Sequence, residues 1–269
     1  MLREDGTVGG FNVGINSGDF IDQLEQGQSP ENWLFSLEAE IRRITPLPIR
    51  YVLVSHAHVD EIGGNARFAG LGATIVGRDA TRKAMLYPTV RSTGDGRAAR
   101  QARPADPAGA PRITFETEMA LHFNGQDIRL ISVGRAHTDN DTIVVIPGLD
   151  VVLTGDVLRA HEYPSINRPD GGTLEGMLEG LSRLIGLGGP RTRYVTSHGQ
   201  VVDRSVVVAQ RDMLLTSRDR IAALMAQGKT VEEVVAAKVT EGLGAVALPG
   251  HVGADAFTQD VYAELKSGG

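Results

Sequence analysis

The stretch from Ser55 to Gly64 reads Ser-His-Ala-His-Val-Asp-Glu-Ile-Gly-Gly and follows the apolar run Tyr51-Val52-Leu53-Val54 directly. That run is rich in β-formers and predicts a short buried strand. Alternate side chains of an extended segment project to the same side, so His56, His58 and Asp60 are expected to converge. The two glycines that end the stretch permit a tight turn into a following helix. Two imidazoles and a carboxylate at one strand end predict a metal site.

Three more polar residues, His137, Asp156 and His198, each stand just after a predicted strand farther along the chain. Strand ends hold several side chains toward one point with little conformational freedom, which a metal site requires. The chain contains no cysteine, so a metal would have to be bound by histidine, aspartate and glutamate. The sequence therefore predicts one site assembled from distant strand ends.

Taken together, these motifs resemble those of the metallo-β-lactamase superfamily, whose first motif is His-x-His-x-Asp-His. In this chain the corresponding positions, in matching order and strand-end contexts, are His56, His58, Asp60, Glu61, His137, Asp156 and His198. The resemblance covers most of the chain up to Val202. It implies an α/β fold of the α+β type, a four-layer αββα sandwich with the metals at one edge of its sheets.

The resemblance also implies how the ligands divide between two divalent ions. The first metal would be held by His56, His58 and His137. The second would be held by Asp60, Glu61 and His198, and Asp156 would bridge the two. The family usually has histidine where this chain has Glu61, so the second position becomes richer in oxygen. Zinc is expected at the first position, and manganese or iron are alternatives at the second. It stays open whether Glu61 ligates at all.

The activity implied by the resemblance is hydrolysis of a lactam, lactone, amide or ester bond in a small-molecule substrate. A water held between two metals has its pKa lowered from about 15.7 toward 7, and the resulting hydroxide is the expected nucleophile. Asp60 would orient that hydroxide, while the metals polarise the carbonyl and stabilise the leaving group. Ser55 and Ser197 lack a free base, which excludes a serine nucleophile.

Several residues outside these motifs are weaker candidates. Tyr163 could donate to an oxyanion and, with His161, line the pocket, although a packed turn is the alternative. Asp139 and Asp141 could orient metal-bound imidazoles as hydrogen-bond acceptors, or could simply form a turn. His122 lies in an alternating run and is expected to face water on a strand.

Two other functions compete with the hydrolase. One is a mononuclear iron enzyme similar to persulfide dioxygenases, which Glu61 favours and the retained His198 disfavours. The other is a non-catalytic member that only binds metal or a partner, which the complete first ligand set disfavours. The sequence does not identify the substrate.

The 269 residues are expected to form a single domain, 1–269, with a helical tail from about residue 203. Helices are predicted around Leu34 to Ile44, Leu174 to Ile185 and Ala256 to Leu265. The segment from Arg78 to Arg112 carries eight basic and three acidic residues, a net +5, and is expected to be a loop or a partly helical insertion. It would either attract anionic substrates or be an ordinary solvated loop.

The formal net charge of −6 argues against general affinity for nucleic acid. No apolar run approaches the roughly 20 residues needed to span a bilayer. The chain is therefore expected to be soluble, without nucleic-acid or membrane partners. It would be cytoplasmic as given, or periplasmic or secreted if a leader has been removed. The oligomeric state is left open.

Overall fold

The computed structural model describes residues 38–39, 41–89, 104–198 and 200–268. Residues 41–44 are helical, and the helix predicted there ends just before Pro46, as a proline-terminated helix should. The predicted start of that helix lies outside the described residues. Residues 7–15, whose loose alternation of small, apolar and polar types predicts short strands at a sheet edge, also lie outside the described residues.

Among the described residues, three parallel strands form the first sheet, in the order β1 (Tyr51–Leu53), β2 (Thr74–Arg78) and β3 (Ile113–Phe115). Three helices lie on the connections between them: α1 (Val59–Ile62), α2 (Asn65–Gly70) and α3 (Asp79–Leu86). The basic segment that follows β2 thus begins with helix α3, which confirms a partly helical insertion. Parallel strands need such crossover connections, because a tight hairpin can join only antiparallel neighbours.

In the part of the chain that the structure describes, the second sheet has six strands in sequential order: β4 (Glu118–Phe123), β5 (Gln126–Ser132), β6 (Thr142–Ile146), β7 (Val151–Leu153), β8 (Arg193–Val195) and β9 (Val201–Val202). Strands β7 and β8 pair in parallel and the other neighbours pair antiparallel. The apolar runs at 128–133, 142–146, 151–153 and 194–196 predict strands that correspond to β5, β6, β7 and β8. The bounds of β6 and β7 are as predicted, and those of β5 and β8 are shifted by one or two residues.

Four α-helices are described in the second half of the chain. Helix α4 (Leu174–Leu187) lies between β7 and β8, and three follow β9: α5 (Arg204–Ala226), α6 (Val231–Ala236) and α7 (Ala254–Ser267). Asp203 caps α5, and Thr230 with Glu233 forms a capping box at the start of α6. A side chain at these positions accepts a backbone N–H that the helix leaves unbonded, which fixes where the helix begins.

The alternation of apolar side chains along β5 and β6 builds two cores, one on each face of the second sheet. Ile128 and Leu130 face the first sheet and meet Val76 there. Their neighbours Ile131 and Ile143 face the opposite way, into a core completed by α4, α5 and α7. A smaller cluster around Phe68 packs the other face of the first sheet against its helices. The layers run helix, sheet, sheet, helix, which confirms the predicted αββα sandwich.

Among the described residues, no helix combines the length and the apolar character needed to cross a bilayer.

Candidate metal centre

The predicted ligands of the second sheet meet at one edge because their strands run in the same direction. Strands β5 and β7 are each antiparallel to β6, and β8 is parallel to β7. The carboxyl ends of β5, β7 and β8 therefore lie together. His137 follows β5, Asp156 lies in the 3₁₀ turn after β7, and His198 follows β8. Each is buried.

The loop after β1 is held against this edge by backbone contacts. The amide of Thr142 donates to the carbonyl of Ser55 over 2.8 Å, and Asn140 Oδ1 accepts from the amide of Ala57 over 2.9 Å. Gly155 makes the close approach of β7 to this loop possible: its φ is +53°, and an added Cβ would lie 3.1 Å from the Cβ of Ser55. The two sheets are thus joined where the ligands lie.

The imidazoles of His56, His58 and His137 form the first cluster. His58 Nδ1 lies 2.9 Å from His56 Nε2 and 3.0 Å from His137 Nε2. The three rings are nearly perpendicular, with interplanar angles of 79° to 85°. Nitrogens bound to tetrahedral zinc at about 2.0–2.1 Å would lie roughly 3.3 Å apart, so this trio already approximates one face of such a site.

Each ring of the first cluster is oriented by an acceptor on its other nitrogen. His137 Nδ1 donates to the carbonyl of Ser165 over 2.6 Å, and His58 Nε2 donates to Asp170 Oδ2 over 2.9 Å. The hydroxyl of Ser55 donates to Glu61, so it accepts from His56 Nδ1, at 3.1 Å. These bonds leave three nitrogen lone pairs pointing at one another, an arrangement that a bound cation stabilises.

The pKa shifts of the trio fit a cation site. Burial holds the pKa of His56 well below its ordinary value and lowers that of His137 to about 4, so both stay neutral and available as ligands. Burial also acts on His58, but its hydrogen bond to Asp170 and the nearby carboxylates outweigh burial and raise its pKa. A metal would therefore compete with a proton for His58.

The second cluster brings Asp60, Glu61 and His198 within 4.8 Å of one another. Asp60 Oδ2 lies 3.4 Å from His198 Nε2. Burial would raise the pKa of Asp60, but the contact with His198 and neighbouring charges outweigh it and lower the pKa. The expected alternation is wrong in one respect: the extended segment ends at His58, and the two carboxylates lie on the helical turn α1.

Asp156 lies between the two clusters. Its Oδ2 is 3.6 Å from His137 Nε2, and its Oδ1 is 3.5 Å from His198 Nε2. The Oδ1 atom is buried and forms no hydrogen bond with any residue that the structure describes. A buried acceptor without a donor is costly unless a cation satisfies it. The three imidazoles on one side of Asp156, and the two carboxylates and one imidazole on the other, are donor sets that suit divalent metal ions.

Arg159 is a charged neighbour of the site that the sequence analysis missed. Its Nη2 donates to Asp156 Oδ2 over 2.8 Å. Burial would raise the pKa of Asp156, but Arg159 and the surrounding histidines outweigh burial and hold that pKa well below its ordinary value. The side chain of Gln210 fixes the Arg159 backbone, accepting from its amide over 3.0 Å. Arg159 keeps the central carboxylate ionised and oriented.

The weaker candidates are placed elsewhere. Tyr163 is buried in the core, with its hydroxyl 3.2 Å from Thr240 Oγ1, so the structure does not bring it to the clusters and its expected role as an oxyanion donor is not supported. Asp141 accepts from the amide and hydroxyl of Thr138 rather than from an imidazole. Ser165 and Asp170 take the orienting role expected of Asp139 and Asp141.

The remaining histidines outside the motifs differ in their surroundings. His161 is exposed, with a φ of +64°. His122 faces water on β4, as expected, and pairs with Asp127 over 2.6 Å.

Solved structures share this fold at low sequence identity. A metallo-beta-lactamase from Pontibacter korlensis is 20% identical with a TM-score of 0.51, over 69% of this chain and 76% of that one. The BLEG-1 B3 metallo-beta-lactamase is 18% identical with a TM-score of 0.56, over 67% and 84%. The sec-alkylsulfatase Pisa1 from Pseudomonas sp. is 18% identical with a TM-score of 0.58, over 80% of this chain but only 41% of the sulfatase.

At the level of the family, the similarity extends over most of the sequence. The sequence pattern of the metallo-beta-lactamase superfamily matches residues 18–210, which is well over half of the 269 residues. The matched range includes both clusters and Asp156. The chain therefore belongs to the metallo-beta-lactamase superfamily, and the αββα layers and the metal-ligand clusters described above agree with this assignment.

Proposed function

We propose that this protein is a binuclear metal-dependent hydrolase that cleaves a lactam, lactone, amide or ester bond of a small molecule. The observation that carries the proposal is the position of Asp156, whose two oxygens face different clusters at 3.6 and 3.5 Å. A carboxylate placed in this way can bridge two ions. If only one cluster bound an ion, the buried Asp156 oxygen that has no hydrogen-bond donor would remain unexplained.

The ions, when bound, would supply a water of lowered pKa and would polarise the bond to be cleaved. The chain's own residues shield the site from water, leave one side open to the substrate and orient the nucleophile. Burial of His137, Asp156 and His198 keeps bulk water from the inner side of the site. The side chains of His58 and Asp60 are 25% and 13% exposed, so substrate reaches the site from their side. On that side Asp60 can accept a hydrogen bond from the nucleophile and orient it.

The two donor sets favour different metals. Three imidazoles suit zinc at the first position. At the second position, Asp60 and Glu61 supply oxygen and only His198 supplies nitrogen, so manganese and ferrous iron compete better there. We therefore propose two divalent ions, with zinc at the first position. The identity of the second ion depends on which metals are available and on the oxygen ligand that Glu61 provides.

The structural relatives support a hydrolytic reaction without fixing the bond. The named relatives are lactamases and an alkylsulfatase, and at 18–20% identity their likeness extends to the fold only. A useful substrate panel therefore contains lactams, lactones, simple esters and amides, and also a secondary alkyl sulfate.

The test combines metal analysis with that panel. Protein freed of metal is loaded separately with zinc, manganese and ferrous iron, and metal content per chain is measured by plasma mass spectrometry. We expect two ions per chain and hydrolysis of at least one substrate, both lost in His137→Ala. The matched control is His122→Ala, which removes an exposed histidine of β4 and should change neither result.

Two results would contradict the hydrolase. A single bound iron together with oxygen consumption would instead identify an iron oxygenase acting on a sulfur substrate. Two bound ions without hydrolysis of any panel member would favour a protein that binds metal without catalysis.

A further inference from the structure

Glu264, on the C-terminal helix α7, is a buried carboxylate whose two oxygens bind one distant segment of the chain. Its Oε2 lies 3.3 Å from Arg168 Nε, and its Oε1 accepts from the amide of Leu174 over 3.2 Å. The side chains of Glu264 and Arg168 are only 9% and 11% exposed. A single carboxylate therefore holds the segment 168–174 at both of its ends.

Both contacts belong to strong classes of interaction. Leu174 is the first residue of α4, so its amide has no acceptor within the helix. A carboxylate placed there meets the positive end of the helix dipole, and its charge makes the hydrogen bond roughly twice as strong as a neutral one. The ion pair with Arg168 is largely shielded from water, so salt screens it little. The segment is thus held firmly on α7.

Asp170, whose carboxylate orients the His58 ring, lies between the two points that Glu264 holds. Residues Arg168–Asp170 form a 3₁₀ turn that the side chain of Asn167 caps. On its other side this turn is bound to the loop after β5, where the amide of Asp139 donates to the Asp170 carbonyl over 3.0 Å. The carboxylate that lies 2.9 Å from His58 Nε2 is therefore positioned from two sides, and α7 supplies one of them.

The same part of the chain also packs against His137, a second member of the first cluster. The amide of Asn167, just before the segment, donates to the carbonyl of His137 over 2.9 Å. Gly172 passes so close that an added Cβ would lie 2.1 Å from that carbonyl oxygen. A shift of the segment would therefore disturb the backbone of one candidate ligand and the ring orientation of another.

We propose that Glu264 is a positioning residue for the first metal position, because it fixes the segment 168–174 and, through Asp170, the His58 ring. This inference rests on the metal site of the hydrolase proposed above and on no particular substrate. The coupling is reciprocal: the factor by which the Glu264 contacts raise zinc affinity is also the factor by which zinc strengthens those contacts. Helix α7 is thus coupled to a metal centre although it carries none of the proposed ligands.

The test measures zinc affinity and Tm on full-length Glu264→Ala, Glu264→Gln and a control, Val261→Ala. Affinity for the first equivalent of zinc is obtained by competition with a chromogenic chelator. Glu264→Ala should lose about fivefold, since a partner that contacts a metal-bound histidine directly is typically worth at least about tenfold. Glu264→Gln keeps an acceptor for the Leu174 amide and should recover part of the loss. Val261 is fully buried on the same helix, so Val261→Ala should lower Tm but leave zinc affinity unchanged.

A double variant shows whether Glu264 acts through Asp170. Glu264→Ala should cost less zinc affinity in the Asp170→Asn background than in wild type, because part of the route to His58 is already lost there. Two independent effects would instead multiply.

Hydrogen exchange gives a readout on the unaltered wild type, which needs no variant to fold. The amide of Leu174 donates to Glu264, so its exchange should slow by about fivefold when zinc is added, as the reciprocal coupling requires. The control is the amide of Glu233, which donates to Thr230 in the capping box of α6 and should not respond.

The outcomes separate this inference from the hydrolase proposal. Zinc affinity that is unchanged in both Glu264 variants would overturn the inference, as would a loss that Val261→Ala matches. Losses that multiply in the double variant, or Leu174 exchange that ignores zinc, would also overturn it. If wild type binds zinc but hydrolyses no panel member, only the hydrolase fails. If wild type binds no zinc, the metal site and this inference fail together.

Discussion

Replacing Asp170 by asparagine should weaken zinc binding at the first cluster, because Asp170 orients the His58 ring. Its Oδ2 accepts from His58 Nε2 over 2.9 Å, which leaves Nδ1 free to face the metal. Removing an outer partner of a metal-bound histidine typically costs 10- to 100-fold in affinity. The Asp170 side chain is 43% exposed, and asparagine can still accept through its own oxygen, so the lower end applies. We expect a loss of about tenfold, or about 1.4 kcal/mol.

The assay is a competition for zinc between the protein and a chromogenic chelator. Asp127→Asn is a matched control, since Asp127 also pairs with a histidine, His122, but on the exposed face of β4 and β5. The control should bind zinc as wild type does. Unchanged affinity in Asp170→Asn, or an equal loss in the control, would refute the proposed role of Asp170 and with it the tautomer assigned to His58.

Three further predictions concern the scaffold and the ligands. Gly172→Ala should lower the free energy of unfolding by about 2 kcal/mol or more, because an added Cβ would lie 2.1 Å from the carbonyl oxygen of His137. The loss should appear as a fall in Tm. The control Gly186→Ala should not destabilise the protein, because its added Cβ meets nothing within 4 Å. Burial lowers the pKa of His137 to about 4, whereas an unfolded histidine titrates near 6.5. The unfolded chain therefore binds the extra proton, and the metal-free protein should lose roughly 2 kcal/mol of stability between about pH 7.5 and about pH 5, measured by urea unfolding, with a smaller loss in His137→Gln. Glu61→His should shift the second position toward zinc over manganese in a metal-competition experiment, and an unchanged preference would show that Glu61 does not ligate.

The candidate metal ligands could be predicted from sequence because each stands at, or a few residues after, the end of a recognisable strand. In a sequence, the end of a strand appears as an apolar run followed by turn residues. A functional residue at that point lies on the loop that follows the strand. The αββα layers were likewise predictable through the family resemblance that these ligands carry. The extended conformation predicted at Asp60 is wrong because a single helical turn, α1, is too short to leave a periodic pattern in the sequence.

The residues that support the ligands could not be found in this way. Asp170 reaches His58 across 112 positions, and Glu264 reaches Leu174 across 90. Contacts of this kind depend on how loops pack after the strands have assembled, and neither partner has a distinctive neighbourhood in sequence. The surroundings of Tyr163 could not be predicted for the same reason: the sequence shows a tyrosine near Asp156, whereas only the structure shows that its ring lies against Phe257.

Anomalous X-ray diffraction from metal-loaded crystals tests most directly whether two ions lie on either side of Asp156, as proposed above. Data collected at the zinc and manganese edges should give two peaks roughly 3.5–4 Å apart. One should lie among the three imidazoles of the first cluster and the other beside Asp60 and His198, with the Asp156 carboxylate touching both. A single peak, or two peaks that Asp156 does not reach, would contradict the account.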